Sequence, residues 1–448
     1  MKHINQDMTK GPLGKQILFF STPLMISNIL QVLFNMADVA VVGRFAGSMA
    51  LGSVGSTTIL VAMFTGFLIG MAGGINVLAA LYYGAKNEKS LTETVHSAAL
   101  LSLATGILIM LIGVFFSKGI LEILNTKPEL IDGAVLYIRI YFLGMPALAI
   151  YNFGNAVFSA IGDTGRPLRY LTIAGVINII LNLFFVIVCS LDVAGVAAAS
   201  AISQYFSASM IIIALLRNRE CYGLRMSKLR LNRSRAADIL KIGLPAGLQN
   251  AIFQMANLFI QAGVNTFSAV MVAGNSAAAN ADALIYDVMA AFYTACGSFM
   301  GQNYGAGKRD RIRKSYFISL AYSFGIGTAM GVSLVIFGRQ FLSLFTGDPE
   351  VISAGMYRLT IMGFSYGFSA FMDCTIAASR ALGKGLVPTI IVLMGSCVFR
   401  IIWVYTVFAY FKTIPSLYLL YIFSWSITAI AEIIYFIKVY KEKTCGLA

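Results

Sequence analysis

The residues with the clearest chemical potential in this sequence are acids that interrupt long apolar segments. A charge at the centre of a bilayer costs about 2.5–3.5 kcal/mol on insertion scales, so each one needs a partner or a function. Asp38 follows Pro23 by about fifteen residues, or roughly 22 Å of helix rise. Because proline removes a backbone hydrogen bond, Pro23 is predicted to act as a hinge, and Asp38 could couple proton or cation binding to bending. The alternative is that Asp38 only caps the outer end of its helix, near Gly43 and Arg44.

Amide and hydroxyl side chains could complete a site around this acid. Asn178 and Asn182 are four residues apart and therefore share one helix face, and Ser200 follows on the next apolar segment. Carboxylate, amide and hydroxyl oxygens suit a hard monovalent cation, and the same pocket could favour a protonated carboxyl group. We therefore predict a cation-coupling site at Asp38, Asn178, Asn182 and Ser200, with Na⁺ held by the first three. The residues leave the choice between Na⁺ and H⁺ open.

A second group of polar residues lies in the later half of the chain. Asp282, Asp287 and Asp373 could attract a cationic substrate, with Tyr286 and Tyr293 offering aromatic surface. Asp282 and Asp287 need not share a helix face, since they are five residues apart. The alternative is structural ion pairing with Arg358 or Arg400, while Arg139 and Arg358 are expected to snorkel toward the outer surface.

The elements that carry these residues are predicted to be transmembrane helices. The chain has 448 residues, of which 58% are hydrophobic and 12% are charged, and apolar runs of about twenty residues recur along it. A lipid environment requires the backbone to satisfy its own hydrogen bonds, which long apolar runs achieve as helices. The sequence therefore predicts an all-α, polytopic membrane protein with about twelve spans, near 15–40, 52–82, 92–117, 131–160, 168–190, 194–217, 238–265, 276–302, 314–338, 351–381, 386–410 and 416–438.

The formal net charge of +14 is explained by a membrane topology rather than by nucleic-acid binding. Basic residues concentrate in alternate loops, with the largest clusters in 217–235 and 308–314, whereas the opposite loops hold only Arg44, Lys118, Lys127, Arg339 and Lys412. The positive-inside rule then places both termini and the 217–237 connector in the cytoplasm. We expect a multi-pass protein of a bacterial-type inner membrane without a cleaved signal peptide.

The two halves of the chain are copies of one another. PLMISNILQVLFN from Pro23 corresponds to PAGLQNAIFQMAN from Pro245, and YGAKNEK from Tyr83 corresponds to YGAGKRD from Tyr304. Six spans per copy predict two pseudo-symmetric bundles in parallel orientation, with a substrate cleft near the axis between them. The predicted domains are 1–220, a linker at 221–237, and 238–448. Gly66, Gly70 and Gly74 are expected to allow close helix packing.

Three motifs resemble the multidrug and toxic compound extrusion (MATE) family. TPLMISNILQVLFNMADVAVVGRFAG resembles its first span, FSAIGDTGRP its turn after span four, and GSFMGQNYGAGKRDRIR its loop after span eight. The resemblance extends over essentially the whole chain. It implies a V-shaped pair of bundles that opens alternately to each side and exports cationic, often aromatic, compounds in exchange for Na⁺ or H⁺.

The resemblance also implies roles for individual residues. In that family the cation site of the first bundle uses positions that correspond to Asp38, Asn178, Asn182 and Ser200, with Pro23 as the bending proline. Where some members carry a span-seven glutamate this chain has Gln254 nearby, which weakens a cation site in the second bundle although Asp373 resembles its acid.

Other function classes fit the sequence less well. The two histidines, His3 and His96, lie outside the centres of the spans, and no phosphate-binding loop motif is present, so an enzyme or an ATP-driven pump is not expected. The alternative transporter is a lipid-linked-precursor flippase, which would need a strongly cationic cleft, and a receptor or scaffold is a third option. We expect no cofactor, no nucleic-acid partner, and a monomer that interacts with small organic cations and membrane lipid.

Overall fold

The computed structural model describes residues 7–446, and every element of regular secondary structure in this range is helical. The ends of the chain, on which part of the topology prediction rests, lie outside this range. The helices are α1 (Leu13–Val41), α2 (Gly47–Gly84), α3 (Glu88–Ile123), α4 (Pro128–Leu143), α5 (Met145–Ala160), α6 (Gly165–Leu183), α7 (Asp192–Arg217), α8 (Arg233–Val264), α9 (Ala269–Gly305), α10 (Arg309–Ser343), α11 (Pro349–Ala381), α12 (Leu386–Val392), α13 (Phe399–Trp403), α14 (Ala409–Phe411) and α15 (Ile414–Thr444).

These helices confirm the prediction of about twelve spans. α4 and α5 together form one span, as do α12, α13 and α14, which are joined by π-helical turns at 393–398 and 404–408. By length and apolar composition alone, eight segments of the described chain could cross a membrane, or nine if α4 and α5 count as one. One of those segments, Leu13–Gly84, contains both α1 and α2. Gly47 has φ +86° and separates the two helices. α8 and α11 are long enough to span but are too polar to be among these eight segments.

One span differs between the two copies of the repeat. α4 and α5 meet at an angle of 46° beside Gly144, whereas α11 continues without a break through the corresponding Gly363. Pro146 follows the first glycine by two residues and cannot donate a backbone hydrogen bond, whereas Ser365 occupies the equivalent place in α11. The proline accounts for the break in the first copy.

Helix packing divides the chain into two compact units. The first contains Ile26–Ala251, and the second contains Met8–Met25 together with the chain from Ile252 onward. α1 therefore passes from one unit to the other close to Pro23, and α8 does so six residues after Pro245. The predicted domains, 1–220 and 238–448, follow the boundaries of the sequence repeat. This division of the chain remains a prediction.

In the first unit, the glycines of α2 make a close seam with the beginning of α8. A Cβ atom at Gly70 would lie 2.5 Å from the carbonyl carbon of Ala246, and one at Gly74 would lie 2.6 Å from the amide nitrogen of Gly243. Asn250 of α8 also donates a hydrogen bond to the Gly66 carbonyl oxygen at 3.0 Å. The three predicted packing glycines therefore lie in a helix contact that larger side chains would separate.

Candidate cation-coupling site

Asp38 is part of a closed ring of four hydrogen-bonded side chains in the first unit. Asn182 Nδ2 donates to Asp38 Oδ1, and Ser200 Oγ donates to Asp38 Oδ2 at 3.1 Å. Asn178 Nδ2 donates to Ser200 Oγ at 3.4 Å, and Asn182 Nδ2 donates to Asn178 Oδ1 at 3.2 Å. The structure thus brings together all four residues of the predicted coupling site.

The local sequence explains how α1 reaches α6. Phe34 precedes Asp38 by four residues and occupies the same face of α1, while Gly175 lies on the face of α6 that carries Asn178 and Asn182. A Cβ atom at Gly175 would lie 1.9 Å from the Phe34 ring, so glycine leaves the space into which this ring packs. This contact sets Asp38 one turn further along, opposite the two amides.

The ring holds a carboxylate with neutral donors only. Asn178 and Ser200 are each 6% exposed and Asn182 is fully buried, while Asp38 is half-buried. Asn182 Oδ1 is buried without a hydrogen-bond partner, which leaves an unused oxygen ligand beside the carboxylate. Within residues 7–446 no three His, Cys, Asp or Glu side chains cluster as a metal site, so a Na⁺ ion here would depend on amide and hydroxyl oxygens.

Two tyrosines of α4 extend the site and were missed by the sequence reasoning. Tyr137 and Tyr141 stack with ring centroids 5.7 Å apart, and both lie near Asp38. Their four-residue spacing in YIRIYFL is the signal that could have indicated a shared polar face. Arg139, between them, is exposed, in agreement with the expected snorkelling.

Asp282 is in a different environment, in the second unit. Arg358 donates to its carboxylate through both Nε, at 3.2 Å, and Nη2, and Tyr366 donates through its hydroxyl group. Arg358 is only 6% exposed, so the expectation that it snorkels is wrong. The buried carboxylate attracts the guanidinium inward, and this ion pair is the structural alternative that the sequence had left open for Asp282.

Asn275 continues this network toward α15. It accepts hydrogen bonds from Arg358 Nη1 at 2.5 Å and from the Tyr418 hydroxyl group at 2.7 Å. The guanidinium also lies over the Tyr418 ring, 5.2 Å from its centroid. The pair Asp282–Arg358 is therefore a fully engaged structural element.

Of the other predicted cleft residues, Tyr286 and Tyr293 lie near Asp373 in the second unit. Tyr293 lies close to Asp373, which also interacts with Arg380 and Arg400, and Tyr286 packs edge-on against Trp425 with centroids 5.8 Å apart. Gln254 is half-buried on α8 and Asp287 is half-buried on α9, and neither has a described contact with Asp373. Their role in substrate binding remains a prediction.

Arg400 and Glu432 are buried ionisable residues whose environment the sequence did not reveal. Arg400 is 2% exposed and lies over Phe253, Tyr421 and Trp425, with centroids at 5.1, 4.6 and 5.9 Å, and its Nη2 has no hydrogen-bond partner. Glu432 is fully buried, and neither of its carboxylate oxygens has a hydrogen-bond partner.

Comparison with known proteins identifies the family. The family model described as MatE matches twice, over residues 23–184 and 245–406, so that each match begins at one of the corresponding prolines, Pro23 and Pro245. The duplication inferred from the sequence agrees with this pair of matches.

Similar proteins cover most of the chain. The probable multidrug resistance protein YpnP of Bacillus subtilis is 28% identical over 395 residues, which is 88% of each chain. The FAD transporter of Shewanella oneidensis is 24% identical over 80% of each chain. A structure described as the outward-facing conformation of a multidrug resistance MATE family transporter has the same fold, with a TM-score of 0.90, 21% identity and 99% coverage of both chains. The two family matches and this shared fold show that the chain belongs to the MatE family, the multidrug and toxic compound extrusion transporters.

Proposed function

We propose that this protein is a secondary active multidrug exporter that releases organic cations in exchange for H⁺ or Na⁺. The observation that carries the proposal is the ring formed by Asp38, Asn178, Asn182 and Ser200. A half-buried carboxylate that has only neutral partners can gain or lose a small cation without leaving another charge unpaired. The names of relatives such as YpnP, a probable multidrug resistance protein, support the export of drugs.

The proposed cycle couples the ring to movement of α1. In the outward-open state Asp38 takes up a proton or Na⁺, α1 bends at Pro23, and the substrate cleft loses affinity for the organic cation. Release outside is followed by reorientation and loss of the coupling ion to the cytoplasm. α1 changes from one packing unit to the other close to Pro23, which is where the proposed bend would occur. A gradient of one pH unit supplies about 1.4 kcal/mol, enough for about tenfold accumulation per coupled proton.

The proposal includes a setting and an assembly state. We place both termini on the cytoplasmic side of a bacterial-type inner membrane, as the distribution of Lys and Arg favours. We propose that the transporter acts as a monomer, with Asp287, Asp373, Tyr286 and Tyr293 facing the organic cation and Gln254 nearby.

Ethidium efflux from cells tests the role of Asp38. Asp38→Asn keeps the size of the side chain and one of its two acceptor oxygens but removes the exchangeable charge, so efflux should fall to the level of cells without the transporter. Asp192→Asn is the matched control, because Asp192 is an exposed acid at the beginning of α7 and lies outside the ring. Undiminished export by Asp38→Asn at equal protein level would remove Asp38 from the coupling role.

An aromatic anion is a second candidate substrate. Arg400 is buried among three aromatic rings and keeps an unpartnered Nη2, an arrangement that suits a planar group carrying a carboxylate or phosphate. The relative from Shewanella oneidensis is named an FAD transporter. Efflux of ethidium and of a flavin, measured in the same cells with Arg400→Gln, separates the two: only anion export should require Arg400.

A further inference from the structure

The connector between the two copies of the repeat is docked rather than free. Residues 218–232, called the strap below, lie along the beginning of α3. Thr92 Oγ donates to the Cys221 carbonyl oxygen at 2.8 Å, and the Asn232 amide donates to Ser97 Oγ at 3.0 Å. Tyr222 is fully buried within the hydrophobic core of the first unit. The strap therefore has a defined shape that can form a binding site.

His96 holds the middle of the strap through both of its ring nitrogens. The amide of Arg225 donates to His96 Nε2 at 3.0 Å, and the Arg225 carbonyl oxygen lies 3.2 Å from the same nitrogen. His96 Nδ1 lies 2.7 Å from the Thr92 carbonyl oxygen of its own helix. The ring therefore joins the strap to α3 at Arg225.

A cavity of about 530 Å³ opens between the strap and α3. Its charged lining residues are Lys89, Lys228, Arg230, Glu88 and Glu93. Arg235 Nε lies 3.5 Å from Glu93 Oε2 and its Nη1 lies 3.4 Å from Asp238 Oδ2, so this guanidinium is shared by two acids. The lining itself holds three cations and two acids, and within residues 7–446 the three cations form no ion pair. The cavity is therefore electropositive and suits a phosphate group.

Two exposed apolar side chains favour a lipid as the source of that phosphate. Met226 is 72% exposed and Leu231 is 49% exposed, and they flank Lys228 and Arg230 along the strap. Basic residues bordered by exposed apolar ones are typical of segments at the boundary between headgroups and acyl chains. A soluble phosphate compound would gain nothing from these side chains.

We propose that the strap cavity binds the phosphate group of an acidic phospholipid, with Lys89, Lys228 and Arg230 contacting the headgroup and Met226 and Leu231 contacting the acyl region. This site depends on the proposed membrane setting but not on the coupling role of Asp38. A lipid bound here would rest against the segment that joins the two copies of the repeat.

Binding to the full-length protein in detergent tests the site directly. The protein is titrated with phosphatidylglycerol or with phosphatidylcholine, and bound lipid is counted by native mass spectrometry. Lys228→Gln/Arg230→Gln should weaken the binding of phosphatidylglycerol about thirtyfold and leave that of phosphatidylcholine unchanged, since each basic residue near an anionic headgroup contributes about 1 kcal/mol. Arg217→Gln/Arg219→Gln removes the same charge from exposed positions outside the cavity and should bind as the wild type does.

A second pair of variants distinguishes the lipid from free phosphate. Met226→Ser/Leu231→Ser should weaken the binding of phosphatidylglycerol, and inorganic phosphate at millimolar concentration should not displace the lipid from the wild type. The proposal is overturned if Lys228→Gln/Arg230→Gln binds the lipid normally, or if the control pair loses as much. It is also overturned if inorganic phosphate competes effectively while Met226→Ser/Leu231→Ser binds as before.

Discussion

Each of the two packing units contains an aspartate held by hydrogen-bonded side chains, but the partners of the two aspartates differ in charge. In the first unit Asp38 accepts hydrogen bonds from Asn182 and Ser200, which carry no charge. In the second, Asp282 accepts from Arg358 and Tyr366, so its negative charge is matched by a guanidinium from the same unit. Asp282 therefore has its cationic partner in the same unit. A cation that balances the charge of Asp38 must come from outside the ring of four side chains.

This difference separates a structural acid from an exchangeable one. Removing one member of a buried ion pair leaves the other charge uncompensated, which is strongly destabilising. A carboxylate surrounded by neutral donors tolerates both the presence and the absence of a small cation, and the unused Asn182 Oδ1 offers a further ligand. If Asp38 couples transport as proposed, the charge of its partners distinguishes it from Asp282, and its position in the repeat does not.

The largest loss of stability is expected when the ion pair between Asp282 and Arg358 is broken. Asp282→Ala leaves Arg358 buried without its carboxylate and should lower the stability of the protein by about 3–5 kcal/mol. Asp282→Ala/Arg358→Leu removes both charges and should recover much of that loss. Thermal unfolding followed by fluorescence-detected size exclusion checks both variants. Equal stability of the single and double variants would contradict the pairing.

Helix packing in the first unit provides a test of stability that does not involve charge. Gly70→Ala places a methyl group 2.5 Å from the Ala246 carbonyl carbon and should cost up to about 3 kcal/mol as α2 and α8 separate. At Gly73, on the same helix, a Cβ atom meets nothing within 4 Å, so Gly73→Ala should be neutral or slightly stabilising. Thermal unfolding of the two variants should therefore differ clearly, and similar melting temperatures would contradict the close seam.

Among the three neutral residues of the ring, Asn182 is expected to contribute most to binding of the coupling ion. Asn182→Ala removes a hydrogen bond to the carboxylate and the unused amide oxygen, and should weaken the binding of the coupling ion by about thirtyfold, or about 2 kcal/mol. Asn178→Ala, which has no direct bond to Asp38, should have a smaller effect. The ion concentration that gives half-maximal transport measures both. A larger effect at Asn178 would show that the ring is organised differently.

Ser200 should have a smaller effect on ion binding than Asn182. Ser200→Ala removes one hydrogen bond to Asp38 Oδ2 and should weaken ion binding about tenfold. Ser203 is the matched control, because its hydroxyl group donates to the Ala199 carbonyl oxygen of its own helix at 2.7 Å. Ser203→Ala should transport with the wild-type ion dependence. If the two variants behave alike, the hydroxyl group of Ser200 is not a ligand of the site.

The sequence predicted the spans well because apolar length is a local property. α8 and α11 are the informative exceptions: their polar residues lower their apolar character, and it is the correspondence between the repeats that identifies them. The ring could be anticipated because Asn178 and Asn182 share a helix face and Asp38 follows a proline.

Partners that come from distant segments could not be predicted in the same way. The sequence offered Arg358 and Arg400 as equal alternatives for the acids, and only the packing of α9 against α11 selects Arg358 for Asp282. The docking of the strap on α3 depends on His96 and Thr92, whose partners are more than a hundred residues away. No local spacing encodes such contacts.

Transport in proteoliposomes under separately imposed Na⁺ and pH gradients tests the central claim most directly. One of the two gradients should drive ethidium accumulation by the wild type, and Asp38→Asn should abolish that drive while retaining ethidium binding. The control variant Asp192→Asn should accumulate ethidium in response to the same gradient as the wild type does. If Asp38→Asn responds to the gradient as the wild type does, the coupling ion is not bound at this ring.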